Sequence, residues 1–333
     1  MDSLTHIVLG AAIGEVTLGK KIGNKAIIWG AFISTIPDLD VFITPLLNPV
    51  EALFFHRGIS HSLFAAAFLI PIIGFVISKI EKRQNINLKT WVWFTSLPLL
   101  SHLFIDCFNT YGTAIFEPFS KARLSYDSMA IIDIVFLLPL LIFTIWAVFV
   151  RFQNKIRRTV AWISLSFVSL YFIFAIVNKQ NITNRAAENL RIQGINYNSL
   201  LTTPAPLSNF IWAIVAEDKS GYHLGYINSL LKSEPIIFRY VPRNEELLGE
   251  YRDCKEVKGL IRFSKGYYIV EKDSLNNLWM YDLRYSGLDF DNNNSYVFSF
   301  GIKNNEGIIE ITRSHPNRSV NFKSIEKYFE RIF

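Results

Sequence analysis

The chain has 333 residues, 50% of them hydrophobic and 15% aromatic, with only 19% charged and a mean hydropathy of +0.25, which excludes an ordinary water-soluble domain of this size. Its formal charge of +6 and pI near 9.1 come from short Lys/Arg clusters between apolar runs, so the basic balance reports membrane topology and predicts no nucleic-acid partner. Two cysteines, Cys107 and Cys254, exclude a disulfide framework.

In chain order, Leu4–Leu18 is short and rich in Gly and Ala, which suits a helix packed on its neighbours or a re-entrant element, and it carries His6. Ala26–Leu47 is long enough to cross a bilayer but is interrupted by Pro37-Asp38-Leu39-Asp40, where proline removes a backbone donor and the helix must break or kink. Two adjacent carboxylates in apolar surroundings are costly without cations; a bound divalent metal explains them, and a kink stabilised by backbone donors is the alternative. The next connection ends in His56-Arg57-Gly58-Ile59-Ser60-His61-Ser62. Gly58 permits a tight turn and Ser60 can cap the following helix, so both imidazoles can point inward, while Arg57 either binds a phosphate oxygen or snorkels at the membrane edge.

Ser62–Ile80 reads as a plain span. Trp91–Phe108 is a further one, with His102 and Asp106 four residues apart on one helix face, either as metal ligands or as a packing hydrogen bond. Ala130–Val150 and Thr159–Val177 complete the apolar set, and Asp133, just inside the first, is either functional or a helix cap. Residues 178–206 read as a polar linker. Beyond it, Phe210–Ala216, Tyr222–Asn228, Pro235–Val241, Val257–Phe263, Tyr267–Glu271, Leu278–Tyr285 and Val297–Lys303 have strand composition, and Phe322–Phe333 has helical apolar spacing. His223 and His315 lack acidic or histidine companions at ligand spacing and read as structural or surface residues.

The predicted fold class is an all-α polytopic membrane domain (1–177), a linker (178–206) and a soluble extramembrane β-rich α+β domain (207–333). Lys20, Lys21 and Lys25, then Lys79, Lys82, Arg83 and Lys89, then Arg151, Lys155, Arg157 and Arg158 can all be cytoplasmic at once. The connections 48–61 and 109–129 and everything after Val177 are then extracytoplasmic. Four of the six histidines fall within the first 102 residues, all at the same membrane face in that orientation.

Leu4-Thr5-His6, Pro37-Asp38-Leu39-Asp40, His56-Arg57-Gly58-Ile59-Ser60-His61-Ser62 and His102-Leu103-Phe104-Ile105-Asp106, followed by Asn109-Thr110-Tyr111-Gly112-Thr113, together resemble the bacterial YdjM-type membrane-bound metal-dependent hydrolase family over about residues 1–150. The resemblance implies a multi-helix domain in the bacterial inner membrane with a divalent metal held by His6, Asp38, His56, His61, His102 and Asp106. Asp133 sits where that family has an aspartate opening an apolar helix. A more distant similarity to zinc-dependent phospholipase C and the P1-type nucleases, through His-x-x-x-Asp on a helix plus an upstream aspartate, suggests phosphoester hydrolysis. No further downstream His or Glu ligand is evident, so a three-zinc site is not expected.

The functional expectation is a hydrolase using one or two divalent ions, most simply Zn²⁺, with Asp40 or Asp133 orienting a ligand or taking a proton. A site at headgroup depth favours an amphiphilic phosphoester such as a phospholipid or polyprenyl phosphate, in contact with the lipid bilayer. The alternatives are a transporter handling metal or protons, and a membrane regulatory protein with a structural metal.

Overall fold

The computed structural model describes residues 1–231, 235–285, 296–305 and 308–314; the expectations for Phe322–Phe333 and His315 lie outside them. The chain divides into two compact units, Met1–Pro45 with Phe55–Ala175, and Leu46–Phe54 with Ile176–Phe333.

The first unit is helical and starts with α1 (Ser3–Ile22). Asp2 caps it, its carboxylate accepting from the Thr5 N–H at 3.0 Å and the Thr5 hydroxyl at 2.5 Å, which fixes the turn that carries His6. Gly23, at φ +62°, reverses the chain into α2 (Asn24–Thr35). The two helices meet backbone to backbone: a Cβ on Gly14 would stand 2.1 Å from the Ala26 carbonyl oxygen. This antiparallel pair sets the end of α2 beside the start of α1.

The break predicted at Pro37 is present. After α2 the chain turns through 51° into 3-10 turns at Pro37–Phe42 and Thr44–Leu46. A further 3-10 turn, Ile59–His61, precedes α4 (Leu63–Ile80), which Ser62 caps; α3 (Pro49–Phe55) lies between. α5 (Leu88–Asp106), α6 (Ile134–Phe149) and α7 (Lys155–Ile192) follow. α1 is the hub: on one side it shares a core with α6 and α7 through Val8, Ala12, Leu140 and Ala161, and its end shares another with α2, α4 and α5 through Leu18, Ile77 and Phe94.

α4 and α7 are long and apolar enough to cross a membrane, and the bent α2 segment is a third if it is one broken span. α6 is apolar but has only 16 residues, and α5 falls short in composition, so the spans expected at Ala130–Val150 and Trp91–Phe108 are less plain than their sequences suggest. α4 exposes Phe68, Ile72 and Phe75 in a stripe that suits lipid. Arg157, read above as a loop cation, is instead buried. It donates to Glu15 at 2.6 Å, to Asn24 Oδ1 at 2.5 Å and to the Val150 carbonyl at 3.0 Å, leaving Arg151 and Lys155 as the exposed cations of that connection.

The second unit holds two four-stranded antiparallel sheets. One has the order β1 (Ser199–Pro204), β2 (Ile211–Glu217), β3 (Gly221–Asn228), β4 (Arg239–Pro242). The other is β5 (Tyr268–Lys272), β6 (Leu278–Asp282), β7 (Ser299–Asn305), β8 (Ile308–Ser314). β2 is buried on both faces: Trp212 and Ile214 pack on Ile182 and Ala186 of α7, while Val215 joins Ile269 of the second sheet.

Two expectations change here. Residues 178–206, expected as a polar linker, hold regular structure, because α7 runs to Ile192 and β1 starts at Ser199. Val257–Phe263, read as a strand, belongs to a helix, α8 (Lys255–Phe263), whose buried Val257, Leu260 and Phe263 are three apart. The β-branched and aromatic residues of this stretch mask its helical period.

Candidate metal centre

Three chain segments bring four ligand-type residues together. The 3-10 turn after α2 supplies Asp38, the turn before α4 supplies His61, and the last turn of α5 supplies His102 and Asp106. All four are buried, and one ligand atom from each lies within 4.8 Å of every other.

Hydrogen bonds on the far side of each imidazole decide what its near side offers. His102 Nδ1 is 2.7 Å from the carbonyl oxygen of Ser34, which can only accept, so Nδ1 carries the proton and neutral His102 turns a bare Nε2 to the cluster. Ser60 donates its hydroxyl to Asp40 Oδ2 at 2.6 Å and so accepts from His61 Nδ1 at 2.9 Å; neutral His61 likewise presents a bare Nε2. The two Nε2 atoms stand 3.1 Å apart. His61 Nε2 is 3.4 Å from Asp38 and 3.5 Å from Asp106, and His102 Nε2 is 3.6 Å and 3.5 Å from the same two carboxylates. Four acceptors thus converge with no donor of their own.

A tetrahedral ion with bonds of about 2.0–2.1 Å requires ligand-to-ligand edges of roughly 3.3 Å, close to the separations found. Asp106 Oδ2 is buried and makes no hydrogen bond among the described residues; Arg57 Nε approaches it at 3.2 Å without hydrogen-bond alignment. The cluster therefore favours a cation, and its donor set fits a divalent metal.

The remaining predicted residues lie around this group. His6 stacks on His102 with ring centres 3.6 Å apart and sets Nε2 3.1 Å from Asp106 Oδ1, which also takes the Met1 amino group and Asn109. His56 turns away from the four, with Nδ1 2.8 Å from Asp40 Oδ1. Asp40 accepts from the Arg57 N–H as well, so it organises the His56–His61 turn from behind. Arg57 does not snorkel: it is buried at 3% exposure, with Nη1 on Asn109 at 2.7 Å and Nη2 on the Met1 carbonyl at 2.8 Å. Asp133 caps α6, accepting from the Val135 and Phe136 N–H groups and the Tyr171 hydroxyl, and is not one of the four clustered residues.

A family model, YdjM inner membrane protein, matches residues 1–182, which contain every one of these side chains. The chain belongs to the YdjM family. Among its relatives, the uncharacterized protein YfhP of Bacillus subtilis (strain 168) is 32% identical over 154 residues, 44% of this chain and 46% of that one. The inner membrane protein YbcI of Escherichia coli (strain K12) is 29% identical over 112 residues, 34% of this chain and 63% of that one. The matches span less than two thirds of either relative. No solved structure matches. Family membership and the apolar helices make this YdjM chain a membrane protein, with a buried His/Asp group that can hold a metal ion.

The sequence alone gave no role to Ser34, Ser3 or Asn109. Ser34 acts through a main-chain carbonyl, which no side-chain pattern reveals, and Ser3 donates to Asp38 Oδ2 at 2.7 Å. Asn109 was legible as part of the quoted motif, and it links Arg57 to Asp106.

Proposed function

We propose that this YdjM protein is a membrane-embedded, divalent-metal-dependent hydrolase that cleaves a phosphoester of an amphiphilic substrate. The supporting observation is the convergence of four buried acceptors from Asp38, His61, His102 and Asp106 with separations that suit one ion. Bound there, a Zn²⁺-like ion supplies a water acidified toward neutral pH and a Lewis-acid contact for the phosphoester. Asp40, through Ser60, and the Ser34 carbonyl hold the two imidazoles in the ligand tautomer. His6 and Arg57 fix Asp106. His56, its side chain 26% exposed and its Nδ1 held by Asp40, is the base that takes the proton at the solvent edge.

Exposed Leu39, Val41, Phe42 and Ile59 lie in the turns that carry Asp38, Asp40 and His61, which favours a substrate with acyl or prenyl chains. The C-terminal unit lies outside the cytoplasm in this reading.

One observation favours a second reading, a regulatory membrane protein with a structural metal: four protein ligands close a tetrahedral site, whereas catalytic sites keep a position open. Metal analysis of the purified wild type, His61→Ala and Asp106→Ala tests both. One ion in the wild type and none in the variants supports a metal centre. Chelator-sensitive turnover of a phospholipid that His56→Ala loses while keeping its ion supports the hydrolase. Retained metal without turnover supports the structural role, metal uptake into proteoliposomes without turnover supports a transporter, and a metal-free wild type removes all three.

A further inference from the structure

At the end of α1 remote from His6, with Lys21 about 22 Å along the helix from it, α1, the start of α2 and the end of α6 line an open surface cavity of about 530 Å³. Three cations line it, Lys21, Lys25 and Arg151, and no acidic side chain does. Of the acids nearby, Glu81 neutralises the lining residue Lys25 at 2.7 Å, and Glu15 takes Arg157 at 2.6 Å. Lys21 and Arg151 form no ion pair among the described residues. The mouth is apolar, with Phe149 84% exposed and Phe152 38% exposed.

The walls are fixed before any ligand arrives. Buried Arg157 donates to the Asn24 side chain and to the Val150 carbonyl, and Asn24 Nδ2 donates to the Val148 carbonyl at 3.1 Å. Helix-end carbonyls that would repel an anion are thereby satisfied. The Phe152 ring packs on Gly23, where a Cβ would come within 3.1 Å of it, which holds the aromatic rim in place. α2 opens on the cavity with no side-chain cap, so the positive end of its dipole adds to the two cations outside an ion pair, Lys21 and Arg151.

We propose that this cavity binds an anionic phosphate group, and that its aromatic rim selects the headgroup of an anionic phospholipid whose chains run along the exposed apolar helix ends. A phosphodiester carries one negative charge, which Lys21 and Arg151 neutralise without disturbing the Lys25–Glu81 pair. The assignment uses no residue of the metal centre and stands independently of the hydrolase reading.

The test is lipid retention by the full chain, purified in mild detergent and exposed to mixed micelles of phosphatidylglycerol or phosphatidylcholine, read by native mass spectrometry. The wild type retains phosphatidylglycerol over phosphatidylcholine, and Lys21→Gln/Arg151→Gln lowers phosphatidylglycerol retention roughly thirty-fold. Lys82→Gln/Lys89→Gln, which neutralises exposed cations outside the cavity, leaves it unchanged. Displacement of the lipid by excess inorganic phosphate identifies a free phosphate as the ligand, and persistence identifies the headgroup. Equal retention of the two lipids, or an equal loss in both double variants, overturns the site. If Lys21→Gln/Arg151→Gln does not purify as a folded species, Arg151→Gln alone is read on the same scale, and undiminished retention overturns the site.

Discussion

Asp40 reaches His61 by two routes, with Oδ2 3.4 Å from the ring Nδ1 directly and 2.6 Å from the Ser60 hydroxyl that bridges to the same nitrogen. A carboxylate behind a metal-facing imidazole fixes its tautomer and strengthens it as a ligand. Asp40→Asn is therefore expected to weaken divalent-metal binding about 10–100-fold while the helical unit stays folded. Competition against a chromophoric chelator measures this; unchanged affinity would separate Asp40 from the site.

Where α1 meets α2 there is no room for a side chain. Gly14→Ala places a methyl group against the Ala26 carbonyl, and the helices must move apart. Overpacking of this kind costs about 1–3 kcal/mol, and it also displaces His6 and Asp38 from each other. The expected result is a lower melting temperature in detergent together with reduced metal content, compared with Ala66→Gly as a destabilised control away from that contact.

Glu15 and Arg157 form a buried pair within the helical unit. Removing either partner leaves an uncompensated buried charge, so Glu15→Leu or Arg157→Leu should each cost about 3–5 kcal/mol. Glu15→Leu/Arg157→Leu should recover most of that, and a double-mutant cycle on thermal unfolding checks it. Additive losses would mean that the two charges do not depend on each other.

Burial pushes the hydroxyls of Tyr222 and Tyr296 up to about 12, and Tyr222 donates to the Gly266 carbonyl at 2.6 Å. Unfolded tyrosine titrates near pH 10. Between those values the folded chain keeps protons that the unfolded chain releases, so their stabilisation is complete below pH 10 and falls as pH rises toward 12, on the order of 2 kcal/mol for each residue. Alkaline unfolding of the full chain followed by tyrosinate absorbance should show this ionisation together with loss of sheet signal. Ionisation of all tyrosines near pH 10 without unfolding would contradict it.

Much of the helical unit was legible because membrane burial forces long apolar runs, and polar residues inside them stand out. Pro37 and the carboxylates after it marked the broken segment, and the His-x-x-x-Asp spacing of α5 marked two of the four clustered residues. The layering of the site was not legible. His56 and His61 sit five residues apart in one motif, yet only His61 faces the cluster, because the intervening turn, with Arg57 at φ +59°, directs His56 onto Asp40. Arg157 was misread for a related reason: a cation between two apolar runs looks like a loop charge until its partner, 142 residues earlier, is known. In the second unit, β1 was hidden inside a polar stretch whose apolar contacts come from strands later in the chain.

The four clustered groups belong to separate stretches of chain, since Asp38 follows α2, His61 precedes α4 and the His102–Asp106 pair ends α5. An ion shared among them can be captured only after those stretches have met. Its occupancy would then report completed assembly of the membrane half, and a chain inserted with one stretch out of register would be recognisable by its failure to load.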